Sequence, residues 1–404
     1  MIVTKKISSG LFFTVLFFPL IAYAQATAPG PASGNAKPAQ HKKKPVFTLR
    51  TIGVAPLYVF EINDNAKINA THQFSGARML PKAFHFSGER HLRNIRQLTF
   101  EGVNTRPTIS PDDRYLAFQA HGVKPNSCDQ IYRMPLSGIP AGRISSGKGR
   151  ATGAAFLRSD EIVYSSTQAV DNGACPAPPS VKDVWRLDKG AELYISDTNG
   201  KAVRQLKGNP AHYNGEAAVS PNGGRIIFTS TRTGDPELFS MNPDGSALKQ
   251  LTHHVGFDGD ASYSPMGNEI VFSGSRPKRP ALAEYKKSLA KGYADRWPSE
   301  IYVMNIDGSG ERELTHLAGA NYAPCWMPDG THILFTSNHL DPTGKAFDLF
   351  MIKSDGTGLE RITHGGGFNG FPVFTRDGKH LVFCSSRNAT HPNDVNIFLA
   401  DWVQ

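Results

Sequence analysis

From Gln97 onward the chain repeats one pattern six times, and this constrains its fold more than any other feature. Each copy has a turn flanked by strand-like residues. The copies centre on Ser110-Pro111-Asp112, Ser220-Pro221-Asn222, Ser264-Pro265-Met266, Met327-Pro328-Asp329 and Thr375-Arg376-Asp377, with a degenerate one between Phe156 and Tyr164 that has lost the Pro and Gly. A repeat of about 44 residues that cannot bury its own apolar face must stack on its neighbours.

Within a copy the periodicity reads as four strands. The first strand runs into the Pro-Asp-Gly-type turn, where Pro supplies a fixed φ and Gly a positive one. A second, apolar strand follows, as in Ile226-Ile227-Phe228, Ile270-Val271-Phe272 and Leu381-Val382-Phe383. A third ends in another Asp-Gly turn, at Asp244-Gly245, Asp307-Gly308 and Asp355-Gly356. A short fourth closes the unit, at Lys249-Gln250-Leu251, Arg312-Glu313-Leu314 and Glu360-Arg361-Ile362. Four strands per repeat make one blade, so the predicted fold is all-β, a six-bladed β-propeller.

The ends predict how the ring closes. Asn396 to Trp402 reads as a third strand with no fourth after it, and the missing strand stands at the other end, at Ile95-Arg96-Gln97-Leu98-Thr99. Pairing the two removes both exposed sheet edges. Two repeat intervals are longer than the rest, placing insertions around Asp171 to Lys189 and Pro277 to Pro298. In the second, Ala281 to Ala294 has helical spacing and no β-branched residue, which predicts a short helix. Loops on a rigid scaffold are common places for function. These two are placed equally well over the channel mouth or on the rim.

The units Gln-Leu-Thr, Ser-Pro-Asp-Gly and Met-Asn-x-Asp-Gly resemble the WD40-like repeats of the TolB propeller, over Arg93 to Val403. TolB carries an α/β domain ahead of its propeller, and the residues before the first repeat leave no room for one. The resemblance implies the fold, and a link to Tol-type envelope transport only as far as that missing domain allows.

The N-terminus reads as an export signal: Lys5 and Lys6, an apolar run from Leu11 to Ile21, and an A-x-A site at Ala22-Tyr23-Ala24. The expected organisation is a signal peptide at 1–24, an Ala/Pro/Lys arm without a core at 25–45, an extension packed on the propeller at 46–92, and the propeller at 93–404. Val46 to Phe60 predicts a strand or two. No later segment is apolar enough to cross a membrane as a helix. The formal net charge of +9 lies partly in the signal and arm, and no basic motif interleaved with aromatics points to nucleic acid. Export places the four cysteines in an oxidising compartment. Cys128 and Cys175 lie in loop-like sequence and are expected to pair, leaving Cys325 and Cys384 as buried thiols, although four cysteines allow three pairings.

The segments entering each first strand are polar. Asn104, Asn214, Glu216, Asp258, Asp260, Asn321, Tyr322 and Asn369 are expected to converge on one channel mouth, where they suit a cation, a sugar or a peptide backbone. The competing reading is that they cap turns and bond local backbone. Thr252-His253, Thr315-His316 and Thr363-His364 recur, which reads as a shared hydrogen-bonding task rather than a metal centre. Arg232, Arg276 and Arg387 follow the second strands and are expected to hold a neighbouring blade's turn aspartate, or an acidic ligand. Hydrolase-elbow, zinc-protease and phosphate-loop motifs are absent. The functional expectation is an exported, periplasmic or secreted, monomeric scaffold for an envelope protein or peptide, without a cofactor. The alternative is a propeller lyase or hydrolase acting on envelope or extracellular glycans.

Overall fold

The computed structural model describes residues 84–121, 128–171, 175, 184–206, 208–295 and 298–404, and the backbone of 47–48 and 59–60. The predicted signal, the arm, most of the 46–92 segment and part of the first insertion lie outside the described residues. Ahead of the propeller, Phe47–Thr48 pairs antiparallel with Val59–Phe60.

Six four-stranded antiparallel sheets form the blades of the ring. Blade 1 runs Val103–Ile109, Tyr115–His121, Gln130–Pro135 and Gly142–Arg143; blade 2 runs Ala151–Arg158, Glu161–Ser166, Glu192–Asp197 and Val203–Gln205. Blades 3 to 6 begin at Asn214, Asp258, Asn321 and Asn369. The first strands pack on one another in order, and that of blade 6 meets that of blade 1, so the ring is closed. Blade 6 takes its fourth strand, Leu92–Gln97, from the start of the propeller: Phe398 pairs with Gln97 and Leu399 with Arg96.

The apolar second strands place one aromatic at the same point of every blade: Phe118, Tyr164, Phe228, Phe272, Phe335 and Phe383, each under 2% exposed. Each stacks or tilts against an aromatic on the third strand, from Phe272 with Tyr302 at 5.4 Å to Phe335 with Phe350 at 6.1 Å. Burying a side chain of this size stabilises by about 1.5–3 kcal/mol.

A second repeated device joins neighbouring blades. The polar residue that opens a third strand accepts the hydroxyl of its own fourth-strand Thr: Thr252 to Glu237 at 2.5 Å, Thr315 to Glu300 at 2.6 Å and Thr363 to Asp348 at 2.9 Å. Where the next blade's first strand carries an Asn at or next to its start, its side-chain amide donates to the residue at this third-strand position. Asn214 donates to Glu192, Asn321 to Glu300, Asn369 to Asp348, and Asn104 to Asn396 across the closure. The recurring Thr-His pairs are explained by the threonine; His253 and His316 are exposed.

Three expectations need correction. The helix spans Ala281–Ala290 rather than reaching Ala294, because Gly292, at φ 83°, ends it and the chain turns into a strand, Tyr293–Asp295. The arginines after the second strands hold their own blade's first residue: Arg232 donates to Asn214 at 2.9 Å, Arg276 to Asp258 at 2.6 Å and Arg387 to Asn369 at 3.0 Å. The guanidinium lies beside that residue, whereas the turn aspartates sit at the far end of the strands. Cys325 is half-buried, and only Cys384 is fully buried.

Candidate functional site

The third residue of each first strand, the fourth in the longer strand of blade 1, sits in a bulge that shifts the register to the second strand. These residues are Arg106, Gly153, Glu216, Asp260, Ala323 and Phe371, with φ between 50° and 60°. Non-glycine residues rarely adopt positive φ, and five do so here around one axis. The bulge re-aims their side chains.

Arg106 reaches across the ring from blade 1 to blades 3 and 4. Its Nη1 donates to Asp260 Oδ1 at 2.6 Å and its Nη2 to Glu216 Oε1 at 3.1 Å. Trp185 and Phe371 flank the guanidinium, with ring centroids 5.1 and 5.3 Å from Cζ. Glu216 Oε2 accepts from Thr229 Oγ1 and from the Asp260 amide. Burial pushes the Glu216 carboxyl up to about 7, the Asp260 charge adds to this, and Arg106 opposes it. Burial disfavours the Arg106 charge, but Asp260 and Glu216 outweigh it and raise its pKa.

This cluster lies between two cavities. One, of about 530 Å³, lies on the side of the Ser-Pro turns and includes Arg106, Glu216 and Asp260 in its wall. The other, of about 700 Å³, lies on the side of the insertions and includes Arg106, Glu216 and Tyr322. We call them the hairpin-side chamber and the insertion-side funnel.

The insertions build the funnel together. Val184–Arg186 of the first pairs antiparallel with Tyr293–Asp295 of the second, with Trp185 opposite Ala294. The helix is anchored by Tyr285, whose hydroxyl donates to Asp235 of blade 3. Trp185 and Arg186 thereby enter the funnel wall, so the insertion ribbon stands at the channel mouth. Trp185 meets Tyr322 edge-on at 5.5 Å, and the aromatic arc continues through Phe347, Phe368 and Phe371 at successive distances of 5.7 to 6.0 Å. Facing this arc is a charged group: Arg150 donates to Asp129 at 2.6 Å and to Asp188 at 3.0 Å, and Asp188 also accepts from Arg186. Lys345 adds an exposed cation. Beside this mouth the sulphurs of Cys128 and Cys175 are bonded, with Cα atoms 5.2 Å apart.

Of the eight residues expected at the mouth, Glu216, Asp260 and Tyr322 line a cavity. Asn104, Asn214, Asp258, Asn321 and Asn369 line neither; they are turned into the hydrogen bonds between blades. Sequence reasoning missed Arg106 and, Tyr322 apart, the aromatic arc. Aligning the copies on their Ser-Pro turns would have put Arg106 in register with Glu216 and Asp260. Among the described residues no three His, Cys, Asp or Glu side chains gather as metal ligands, and no helix is long and apolar enough to cross a membrane.

A closed six-bladed propeller with a channel plugged by a buried arginine–carboxylate cluster is the class that fold and site define. The chain belongs to the PD40 family, the TolB beta propeller domain, which matches residues 186–298 and 287–399. It is 24% identical over 245 residues to the uncharacterized protein Atu1656 of Agrobacterium fabrum, covering 60% of this chain and 69% of that one. A 56-residue stretch is 38% identical to dipeptidyl-peptidase 5 of Porphyromonas gingivalis, covering 14% of this chain and only 8% of the peptidase. Among solved structures, a gluconolactonase of Xanthomonas campestris superposes with a TM-score of 0.52 at 14% identity, covering 81% of this chain and 95% of that one. A putative TolB of Agrobacterium tumefaciens gives 0.47 at 20% identity, covering 76% and 92%. At 14% identity the likeness to the gluconolactonase is one of fold.

Proposed function

We propose that the protein is an exported, periplasmic binding module that holds a segment of an envelope protein in the insertion-side funnel. The observation that carries this reading is the pairing of an aromatic arc with a charged wall above a closed floor. Aromatic side chains supply large contact area at little entropic loss, and guanidinium and carboxylate groups orient a peptide backbone and its side chains. Arg106 engages the carboxylates beneath, so the floor is suited to support a ligand rather than to pass one through. The Cys128–Cys175 bond fits an oxidising compartment. Membership of the TolB propeller family makes Tol-type envelope transport the first setting in which to look for the partner.

The test is an in-cell photocrosslinking pull-down with the wild type and a Trp185→Ala/Lys345→Glu variant. One envelope protein captured by the wild type and lost by the variant supports the reading. Equal capture by both overturns it.

One observation favours the second reading, a lyase or hydrolase acting on glycans. A buried glutamate at about 7 is matched to general acid–base work near neutral pH. Against it, both Glu216 oxygens are engaged by Arg106, Thr229 and the Asp260 amide. Turnover of envelope glycans that rises and falls with a group near pH 7, and vanishes in Glu216→Gln, would favour the enzyme.

A further inference from the structure

The central cluster holds two carboxylates and one guanidinium, and their hydrogen bonds do not balance. Arg106 takes Asp260 Oδ1 and Glu216 Oε1. Glu216 Oε2 has two further donors. Asp260 Oδ2 has none, although the residue is only 8% exposed. A buried carboxylate oxygen without a donor is unfavourable by about 1–3 kcal/mol or more. Asp260 lies in the wall of the hairpin-side chamber and not in that of the funnel.

The chamber around it is shaped for more than water. Its volume of about 530 Å³ is in the range of small-molecule sites. Pro107, Pro324, Tyr263, Trp326 and Phe374 give one part of a mixed polar and apolar wall a stiff apolar surface. The Trp326 indole Nε1 is likewise buried without an acceptor. Asp113 and Arg376 also line the chamber, the Asp113 carboxylate accepting the Arg376 backbone N–H at 3.0 Å.

We propose that the hairpin-side chamber binds a small organic primary ammonium compound, its cationic head on Asp260 Oδ2 and its apolar body against the proline and aromatic wall. Oδ2 is covered by its neighbours, so the ammonium reaches it as the chamber wall shifts, and there it supplies the missing donor. A hydroxyl on the body would suit the open indole N–H. This site is separate from the funnel and does not depend on what the funnel holds.

The test is calorimetric titration of the full chain at pH 7 with tyramine, and with 4-ethylphenol, which keeps the ring and hydroxyl but lacks the amine. Tyramine should bind, with 4-ethylphenol at least about tenfold weaker, as expected for losing a hydrogen bond to a charged group. Asp260→Asn should weaken tyramine by at least about tenfold. Ala218→Leu, which fills the chamber wall without touching the ion cluster, should do the same. If Asp260→Asn loses its cooperative melting transition, Ala218→Leu decides alone. The proposal is overturned by no binding of tyramine at millimolar concentration, by equal binding of 4-ethylphenol, or by tyramine binding that survives Ala218→Leu.

Discussion

Asp258 faces Glu237 across the joint between blades 3 and 4, at the place where Asn214, Asn321, Asn369 and Asn104 each donate an amide to the preceding blade. Two carboxyl groups therefore meet where the other joints have an amide and an acceptor. The contact is satisfied only if one of them carries a proton. Burial pushes Glu237 up to about 7 and Asp258 well above the usual carboxylate range.

The linkage has a definite sign. Both folded-state values are raised, so the folded protein holds protons that the unfolded chain releases above about pH 4. The joint's contribution is full below that pH and is lost as pH rises through the raised folded-state values, about 7 for Glu237. Asp258→Asn restores the amide, and its Oδ1 still accepts from Arg276, as Asn214 does from Arg232. Thermal melts from pH 5 to 9 should show the variant gaining about 2 °C on the wild type at the alkaline end. A constant offset across that range would refute the shared proton.

Arg106 should be more than a filler. Replacing it with Met leaves Glu216 and Asp260 facing each other without a cation, which is expected to destabilise by about 3 kcal/mol at pH 8. At pH 5 Glu216 takes up a proton and part of the loss should return. Urea titrations at the two pH values read this directly, and an equal loss at both would mean that the arginine acts through packing alone.

The anchor ahead of the ring allows a contrast between buried and exposed ion pairs. Arg387 binds Glu89 at 2.8 Å with side chains 2% and 0% exposed, whereas Arg90 binds Glu360 at 2.7 Å with the arginine 75% exposed. Arg387→Ala strands a buried carboxylate and should destabilise by about 3–5 kcal/mol. Arg90→Ala should change stability by under about 1 kcal/mol. Chemical denaturation of the two variants side by side checks the ranking.

The Cys128–Cys175 bond closes a loop with a sequence separation of 47. Loop-closure entropy puts its contribution at about 4 kcal/mol, less any relaxation of the reduced chain. Cys128→Ser should lower the melting temperature, and reductant should do the same to the wild type and nothing to the variant. Thiol labelling of the native protein should be slow at Cys325 and Cys384, since burial pushes the Cys325 thiol up to about 11 and Cys384 higher still.

The repeat made the ring legible because Pro, Gly and the apolar second strands act locally, and each copy confirms the others. The closure at Leu92–Gln97 followed from counting strands. The insertion ribbon did not: Val184–Arg186 and Tyr293–Asp295 belong to no repeat, and nothing local ties strands that far apart in sequence. The expected mouth residues divide for a different reason. Residues two apart on a strand normally share a face, which puts Asn214 with Glu216 and Asp258 with Asp260. The bulge at the third residue breaks that alternation, sending the first residue into the blade joint and the third toward the axis. Arg106 is legible only through register, since it is neither an amide nor a carboxylate like its counterparts.

The pairing of Phe398 with Gln97 has a consequence for how the protein is made. The strand that completes blade 6 is the first of the propeller to leave the ribosome, and its partner is among the last. Leu92–Gln97 must wait, edge unpaired, while five blades are synthesised. The ring then locks only when the segment through Trp402 has arrived, so a chain interrupted anywhere in between stays visibly unfinished to the proteases around it.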